Sequence, residues 1–170
     1  YLPLKFAARI VSVNETFISG LQEMYGLKRD RLELIPNGIS LREFSLEEYE
    51  QFLAQNNLDS DATYLIYVGS LIPRKRVELL LELLAKLTQT KLKLILCGGG
   101  DDITYLMMLR QKVLELDLAS RVIFTGRVAP NQIPLYLKLA WAFILPSKSE
   151  GRPNSALEAM RSGTPVFLSD

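Results

Sequence analysis

The feature that most constrains this chain is an alternation of two hydrophobic periods. Short apolar runs that end at glycine or proline alternate with longer stretches whose apolar residues recur at helical spacing. Thr63 to Val68 is a β-rich run ending at Gly69, and Val77, Leu80, Leu81, Leu84 and Leu87 then repeat with a helical period. Leu92 to Leu96 runs into Gly98-Gly99-Gly100, followed by the helical set Leu106, Leu109, Val113 and Leu116. Arg121 to Phe124 ends at Gly126, and Asn131 to Leu139 reads as a helix with Pro134 in its first turn, where proline is tolerated. Trp141 to Leu145, a helix over Ser155 to Arg161 stopped by Gly163, and Pro165 to Leu168 complete the series. Five strands, most of them apolar on both faces and separated by helices, predict an α/β protein with a doubly wound parallel sheet. Crossovers in such a sheet are right-handed, and ligands bind beyond the carboxyl ends of the strands. The candidate ligand segments are therefore the loops 69–76, 98–102, 126–130 and 146–155.

A shorter series precedes this one. Arg9 to Val13 reads as a strand, Glu15 to Tyr25 as a helix stopped by Gly26, and Leu32 to Ile35 as a strand closed by Pro36-Asn37-Gly38. Residues 39 to 61 are polar and acidic, with a helix expected over Leu46 to Asn56, and read as a connection between two units. The start, Tyr1-Leu2-Pro3-Leu4-Lys5, does not read as a signal peptide and resembles an entry into the middle of a larger protein. No apolar run approaches the roughly 20 residues that span a bilayer.

Composition removes whole classes of chemistry. There is no histidine, which excludes a Ser-His-Asp triad or a histidine-based zinc site within this chain. The formal net charge of +1 provides no field suited to nucleic acid or an acidic surface. The single cysteine, Cys97, cannot form an internal disulfide and is expected to be a small core residue of a protein in a reducing compartment.

The loop from Pro146 to Ser155 carries the most chemistry. Glu150 sits in the loop and Glu158 in the first turn of the following helix. Helix-start amides favour anions such as diphosphates, and ionised carboxylates accept from sugar or ribose hydroxyls. A phosphate with several hydroxyls describes a nucleotide sugar. Ser155-Ala156-Leu157-Glu158 also matches a capping box, in which Glu158 merely satisfies the Ser155 amide. Arg74-Lys75-Arg76 is either a phosphate-holding loop or a solvated turn. The triple glycine matches no nucleotide fingerprint and reads as a strand-to-helix turn, Asp101-Asp102 as a helix cap, and Trp141 as core.

These residues, in this order, resemble the retaining GT-B glycosyltransferases of glycosyltransferase family 4, group 1, nearly end to end. Glu150 through Met160 is similar to the family's motif of two glutamates with seven residues between them, continued by Ser162-Gly163-Thr164-Pro165-Val166. Tyr67-Val68-Gly69-Ser70-Leu71 with Lys75 resembles its phosphate loop. Val122 to Gly126, Ile144 to Ser147, and the link Ile35-Pro36-Asn37-Gly38-Ile39 fit further signatures. The resemblance implies a Rossmann-like domain, the C-terminal half of a GT-B fold, over residues 62–170 and truncated at its C-terminus. Residues 1–40 become the tail of an N-terminal acceptor domain, and 41–61 the connecting segment.

It also implies roles. Glu150 would contact the donor sugar, Glu158 the ribose and Lys75 the diphosphate, with Arg127-Val128 beside the base. Gly69, Ser70, Arg76, Asn154 and Ser155 complete the implied donor site, with Glu150 and Lys75 as its catalytic members. There are departures: Ser70 replaces a common arginine, Arg76 a common glycine, Arg152-Pro153 a common Phe-Gly, and Trp141 a common aspartate. The implied enzyme is a hexosyltransferase of polysaccharide or glycoconjugate biosynthesis. It would move sugar with retention from a UDP-, GDP- or ADP-sugar to a carbohydrate or lipid-linked acceptor, with no metal and no cofactor. Such an enzyme is expected in the cytoplasm, with peripheral membrane association of the whole protein left open, and this chain is expected to be inactive alone. A same-fold phosphorylase, a sugar-nucleotide epimerase and a non-catalytic binding module are the alternatives.

Overall fold

The computed structural model describes residues 2–40 and 42–169. Tyr1, Leu41 and Asp170, where the expected first segment opens, the connecting segment begins and the sheet domain ends, lie outside the described residues. The chain divides into two compact units, Tyr1–Ile39 with Glu150–Asn154, and Ser40–Ser149 with Ser155–Asp170.

The smaller unit contains α1 (Leu2–Phe6), β1 (Ile10–Ser12), α2 (Glu15–Tyr25) and β2 (Leu32–Leu34). Helix α2 has the bounds its sequence predicts because both ends are local chemistry. The Asn14 carboxamide oxygen accepts from the Thr16 amide at 2.7 Å, and the Gly26 amide closes the last turn on the Gln22 carbonyl at 2.9 Å. Strands β1 and β2 pair in parallel over three residues, shorter than the apolar runs suggest. The Ile35 amide makes one more bond, to the Ser12 carbonyl at 2.9 Å, and Pro36 has no amide to continue. A small core of Ile18, Leu21, Leu27 and Leu32 holds the unit together.

The larger unit opens with α3 (Leu46–Gln55), capped where the Ser45 hydroxyl accepts from the Glu48 amide at 3.1 Å. Then come β3 (Thr63–Val68), α4 (Glu78–Lys86), β4 (Leu92–Cys97) and α5 (Ile103–Glu115). The series ends with β5 (Val122–Gly126), α6 (Ile133–Leu139), β6 (Ala142–Leu145), α7 (Asn154–Arg161) and β7 (Val166–Leu168). The five strands form one parallel sheet in the order β5-β4-β3-β6-β7. This is the α/β doubly wound arrangement the alternation predicts. The chain winds outward from β3 in one direction and from β6 in the other, so the strand order switches between them. The centre of the sheet is dry. Ile66, Tyr67, Leu94, Ile95, Leu96 and Phe143 are fully buried, and each large apolar side chain so placed contributes about 1.5–3 kcal/mol.

One expectation is corrected, and one alternative reading loses support. Trp141 is 61% exposed, not core. Its amide bonds the Tyr64 carbonyl at 2.8 Å, but strand pairing starts at Ala142, which leaves the indole beyond the amino-terminal end of the sheet. The last helix begins at Asn154, so Ser155 is its second residue and does not stand in the capping position that the Ser155–Glu158 box requires. Among the described residues, no helix is long and apolar enough to cross a membrane.

Candidate functional site

The carboxyl ends of β3, β4 and β5 open into a cleft of about 580 Å³. Three of the four loops singled out by sequence line it. Gly69, Ser70 and Ile72 come from the first, Gly98 through Asp102 from the second, and Arg127 and Val128 from the third. Cys97 forms part of the wall, and burial pushes its thiol up to about 12, so it is uncharged at neutral pH.

The triple glycine does more than turn the chain. The parallel ladder continues past the strand ends, with the Gly69 amide donating to the Cys97 carbonyl and the Leu71 amide to the Gly99 carbonyl, both at 2.9 Å. The two loops therefore run in backbone contact. A Cβ at Gly98 would lie 1.9 Å from the Gly69 carbonyl oxygen, and one at Gly100 2.2 Å from that of Leu71. Beneath them the buried Tyr67 hydroxyl donates to the Ser70 carbonyl at 2.7 Å and props the loop. Asp102 caps α5, accepting from the Tyr105 amide at 2.9 Å, as its position suggests. Asp101 instead pairs with the Arg127 guanidinium at 2.7 Å. Both side chains are largely exposed, so the pair orders the rim of the cleft without adding much stability.

The cationic segment follows Ile72. Residues Pro73–Lys75 make a single 3₁₀ turn, and Arg76 closes it with φ +53°. This left-handed geometry accounts for the glycine that the family resemblance expects there. The turn is laced to the loop after β6, since the Arg74 guanidinium donates to the Ser149 carbonyl and the Lys148 amide to the Arg74 carbonyl at 3.0 Å. Lys75 is half-buried and Arg76 exposed. Ser155 and Glu158 are half-buried on α7 of the same unit.

Glu150 and Asn154 belong to the smaller unit. There the Asn14 carboxamide donates to the Gly151 carbonyl, and that of Asn37 to the Asn154 side-chain oxygen, both at 2.6 Å. Asn14 thus caps α2 with one end of its side chain and holds the glutamate loop with the other. The sequence reading quoted Tyr67 within the phosphate-loop motif but missed the prop its hydroxyl supplies, and it missed Asn14 and this use of Asn37. Asn14 is legible as a cap, but nothing local reports a partner 137 residues away.

Burial raises the carboxyl of Glu158 above its usual value of 4.5. The folded state therefore binds this proton more tightly than the unfolded chain does. The associated stability is fully present below pH 4.5 and is lost as the pH rises through the raised value. Glu158→Gln is expected to remove this part of the pH dependence, and at neutral pH to leave stability unchanged or slightly higher. Urea denaturation across the acid range reads both. A clear loss of stability at neutral pH would return Glu158 to a capping role.

With the geometry in place, comparison with known proteins gives a consistent result. The family model described as "Glycosyl transferases group 1" matches residues 48–170. An O-antigen chain mannosyltransferase of Salmonella typhimurium is 25% identical, over 99% of this chain and 44% of its own length. An uncharacterized glycosyltransferase of Methanocaldococcus jannaschii is 28% identical with the same two coverages. The chain thus spans under half the length of these relatives. Among solved structures, the Anabaena protein HepE in complex with UDP and glucose superposes with a TM-score of 0.85. It is 23% identical and is matched over 95% of this chain and 44% of its own. That likeness is one of fold: the sheet is that of the C-terminal Rossmann-like domains of GT-B glycosyltransferases. A family match over most of the chain, a parallel sheet of this order and a cleft at its carboxyl edge agree, and the chain belongs to the group 1 glycosyltransferases.

Proposed function

We propose that this chain supplies the donor-binding half of a retaining glycosyltransferase of glycosyltransferase family 4. The observation that carries the reading is the cleft at the carboxyl ends of β3–β5, which gathers Gly69, Ser70, Arg127 and Val128 in one place. Its glycine-lined floor suits close approach of a flat base and a phosphate chain. Lys75 and Arg76 supply cations for a diphosphate, Arg127 and Val128 flank the base, and Glu158 with Ser155 takes the ribose. Glu150 with Asn154 takes the sugar. The Salmonella relative is a mannosyltransferase, and HepE was solved with UDP and glucose, so UDP- and GDP-hexoses are the first donors to try, followed by ADP-sugars.

In the reaction, the bond between the anomeric carbon and the diphosphate breaks through an oxocarbenium-like state. The bonding pair leaves with the diphosphate, where Lys75 and backbone amides stabilise the growing charge. The acceptor oxygen then attacks from the face the diphosphate left, which preserves the anomeric configuration, and its proton passes to the departing diphosphate oxygen on that same face. Residues 1–40 serve as the tail of the acceptor domain, and a carbohydrate or lipid-linked acceptor is the partner. Because the chain spans 44% of its relatives' length, transfer is assigned to the whole protein. Attack requires donor and acceptor within roughly 3–3.5 Å.

The chain is expected to bind a nucleoside diphosphate and to transfer nothing alone, while the complete protein turns over. Glu158→Gln should weaken the bare nucleotide, and Glu150→Gln only the sugar-bearing donor. Thermal-shift screening of UDP-, GDP- and ADP-sugars reads binding, since ligand at a hundred times its dissociation constant stabilises the fold by about 2.7 kcal/mol. Turnover by the chain at the rate of the complete protein would overturn the division of labour. Absence of turnover by either would favour a non-catalytic module.

A further inference from the structure

Tyr105 occupies the first turn of α5 and is buried, 7% exposed. Its amide is tied to Asp102 at the rim of the cleft. Its hydroxyl reaches the start of α4, where it accepts from the Val77 amide at 2.9 Å and donates to the Glu78 carboxylate. Val77 is fully buried and directly follows Arg76, the left-handed residue that closes the Pro73–Lys75 turn. Its amide, at the head of a helix, has no intrahelical partner, and an unpaired buried donor is costly. One phenol therefore satisfies that donor, receives a charged acceptor in return, and fixes the turn against the helix that begins at the opposite rim. Burial and the Glu78 carboxylate both raise its pKa, which keeps the hydroxyl a donor at any physiological pH.

We infer that Tyr105, acting through Val77 and Glu78, is a positioning residue for the cationic turn and sets the affinity of the cleft for phosphate without touching the ligand. The inference rests on the donor-binding reading above. Such a residue governs the phosphate increment of binding and leaves recognition of the base alone, because the base is assigned to Arg127 and Val128 on a different loop.

The test uses the 170-residue chain, the nucleoside diphosphate among UDP, GDP and ADP that it binds most tightly, and the matching nucleoside. Calorimetry gives the ratio of the two affinities. Tyr105→Phe is expected to reduce that ratio roughly tenfold through weaker diphosphate binding, with nucleoside affinity unchanged. Glu78→Gln, which keeps an acceptor for the phenol, is expected to retain the wild-type ratio. If Tyr105→Phe does not fold, Glu78→Ala is read in its place and should lower the ratio in the same direction. A merely structural tyrosine would lower the melting temperature and leave the ratio intact, which overturns the inference. A wild-type chain that binds no nucleoside diphosphate overturns the donor-binding reading itself and this inference with it, whereas equal binding after Lys75→Ala removes Lys75 from the site and overturns this inference alone. The two failures are thereby told apart.

Discussion

Gly98→Ala is expected to be the most damaging single-methyl change in the chain. The added Cβ would stand 1.9 Å from the Gly69 carbonyl oxygen and 2.8 Å from its carbon, both backbone atoms. Neither loop can retreat freely, because the Gly69 amide bonds the Cys97 carbonyl and the Gly98 amide the Gly126 carbonyl, each at 2.9 Å. The residue also sits at φ +149°, where a side chain is strained. Backbone strain of about 1–3 kcal/mol and overpacking of about 1–3 kcal/mol together remove a large share of the roughly 5–15 kcal/mol that holds a domain folded. Denaturant titration should show the midpoint falling steeply. Any folded fraction should lose nucleotide binding, because the two loops that line the cleft have been pushed apart. A midpoint equal to that of the wild type would show that the ladder beyond the strand ends carries no constraint.

Lys75→Ala should produce the largest loss of binding. Lys75 ends the Pro73–Lys75 turn at the carboxyl edge of β3, next to the topological switch of the sheet. A lysine there is a compact point charge on a flexible stem, suited to a diphosphate. A hydrogen bond to a charged group contributes about 1.5–3 kcal/mol, so nucleoside-diphosphate affinity should fall on the order of tenfold to a hundredfold. Neither Lys75 nor Arg76 lines the cleft itself, and Arg76→Ala, at the more exposed of the two, should cost less. The effect should shrink at high salt, since exposed charges are screened within about 8 Å at physiological ionic strength. Calorimetry on a folded Lys75→Ala chain that returns wild-type affinity would remove Lys75 from the site.

How much could be read in advance depends on the range over which each feature is determined. Helix α2 was legible from its helical pattern and the Gly26 stop, and its start at Glu15 is fixed just as locally by the Asn14 cap, which the pattern alone did not name. Strands β3, β4 and β6 were legible because a strand buried on both faces must be apolar throughout, while β5 and β7, at the edges of the sheet and only partly covered, were legible from their short apolar runs and the turn residues that punctuate them. The parallel arrangement followed from the helices between them. The cleft-lining loops were legible as loops, since every open sheet of this kind presents its ligands at the same edge.

Tertiary structure alone decided the rest. Gly98 and Gly100 must be glycine because another loop's backbone passes within contact distance, and composition cannot tell that from an ordinary turn. Trp141 lies outside the core because pairing begins one residue later, and the hydrophobicity of an indole says nothing about register. Asp101 pairs with Arg127 and Asp102 caps a helix, although the two aspartates are neighbours with the same chemistry. The glutamate loop groups with Tyr1–Ile39 through Asn14 and Asn37, which are 137 and 117 residues from their partners. Periodicity and capping are short-range and written in adjacent residues. Close approach and long-range pairing exist only once each unit has folded and brought segments distant in sequence together.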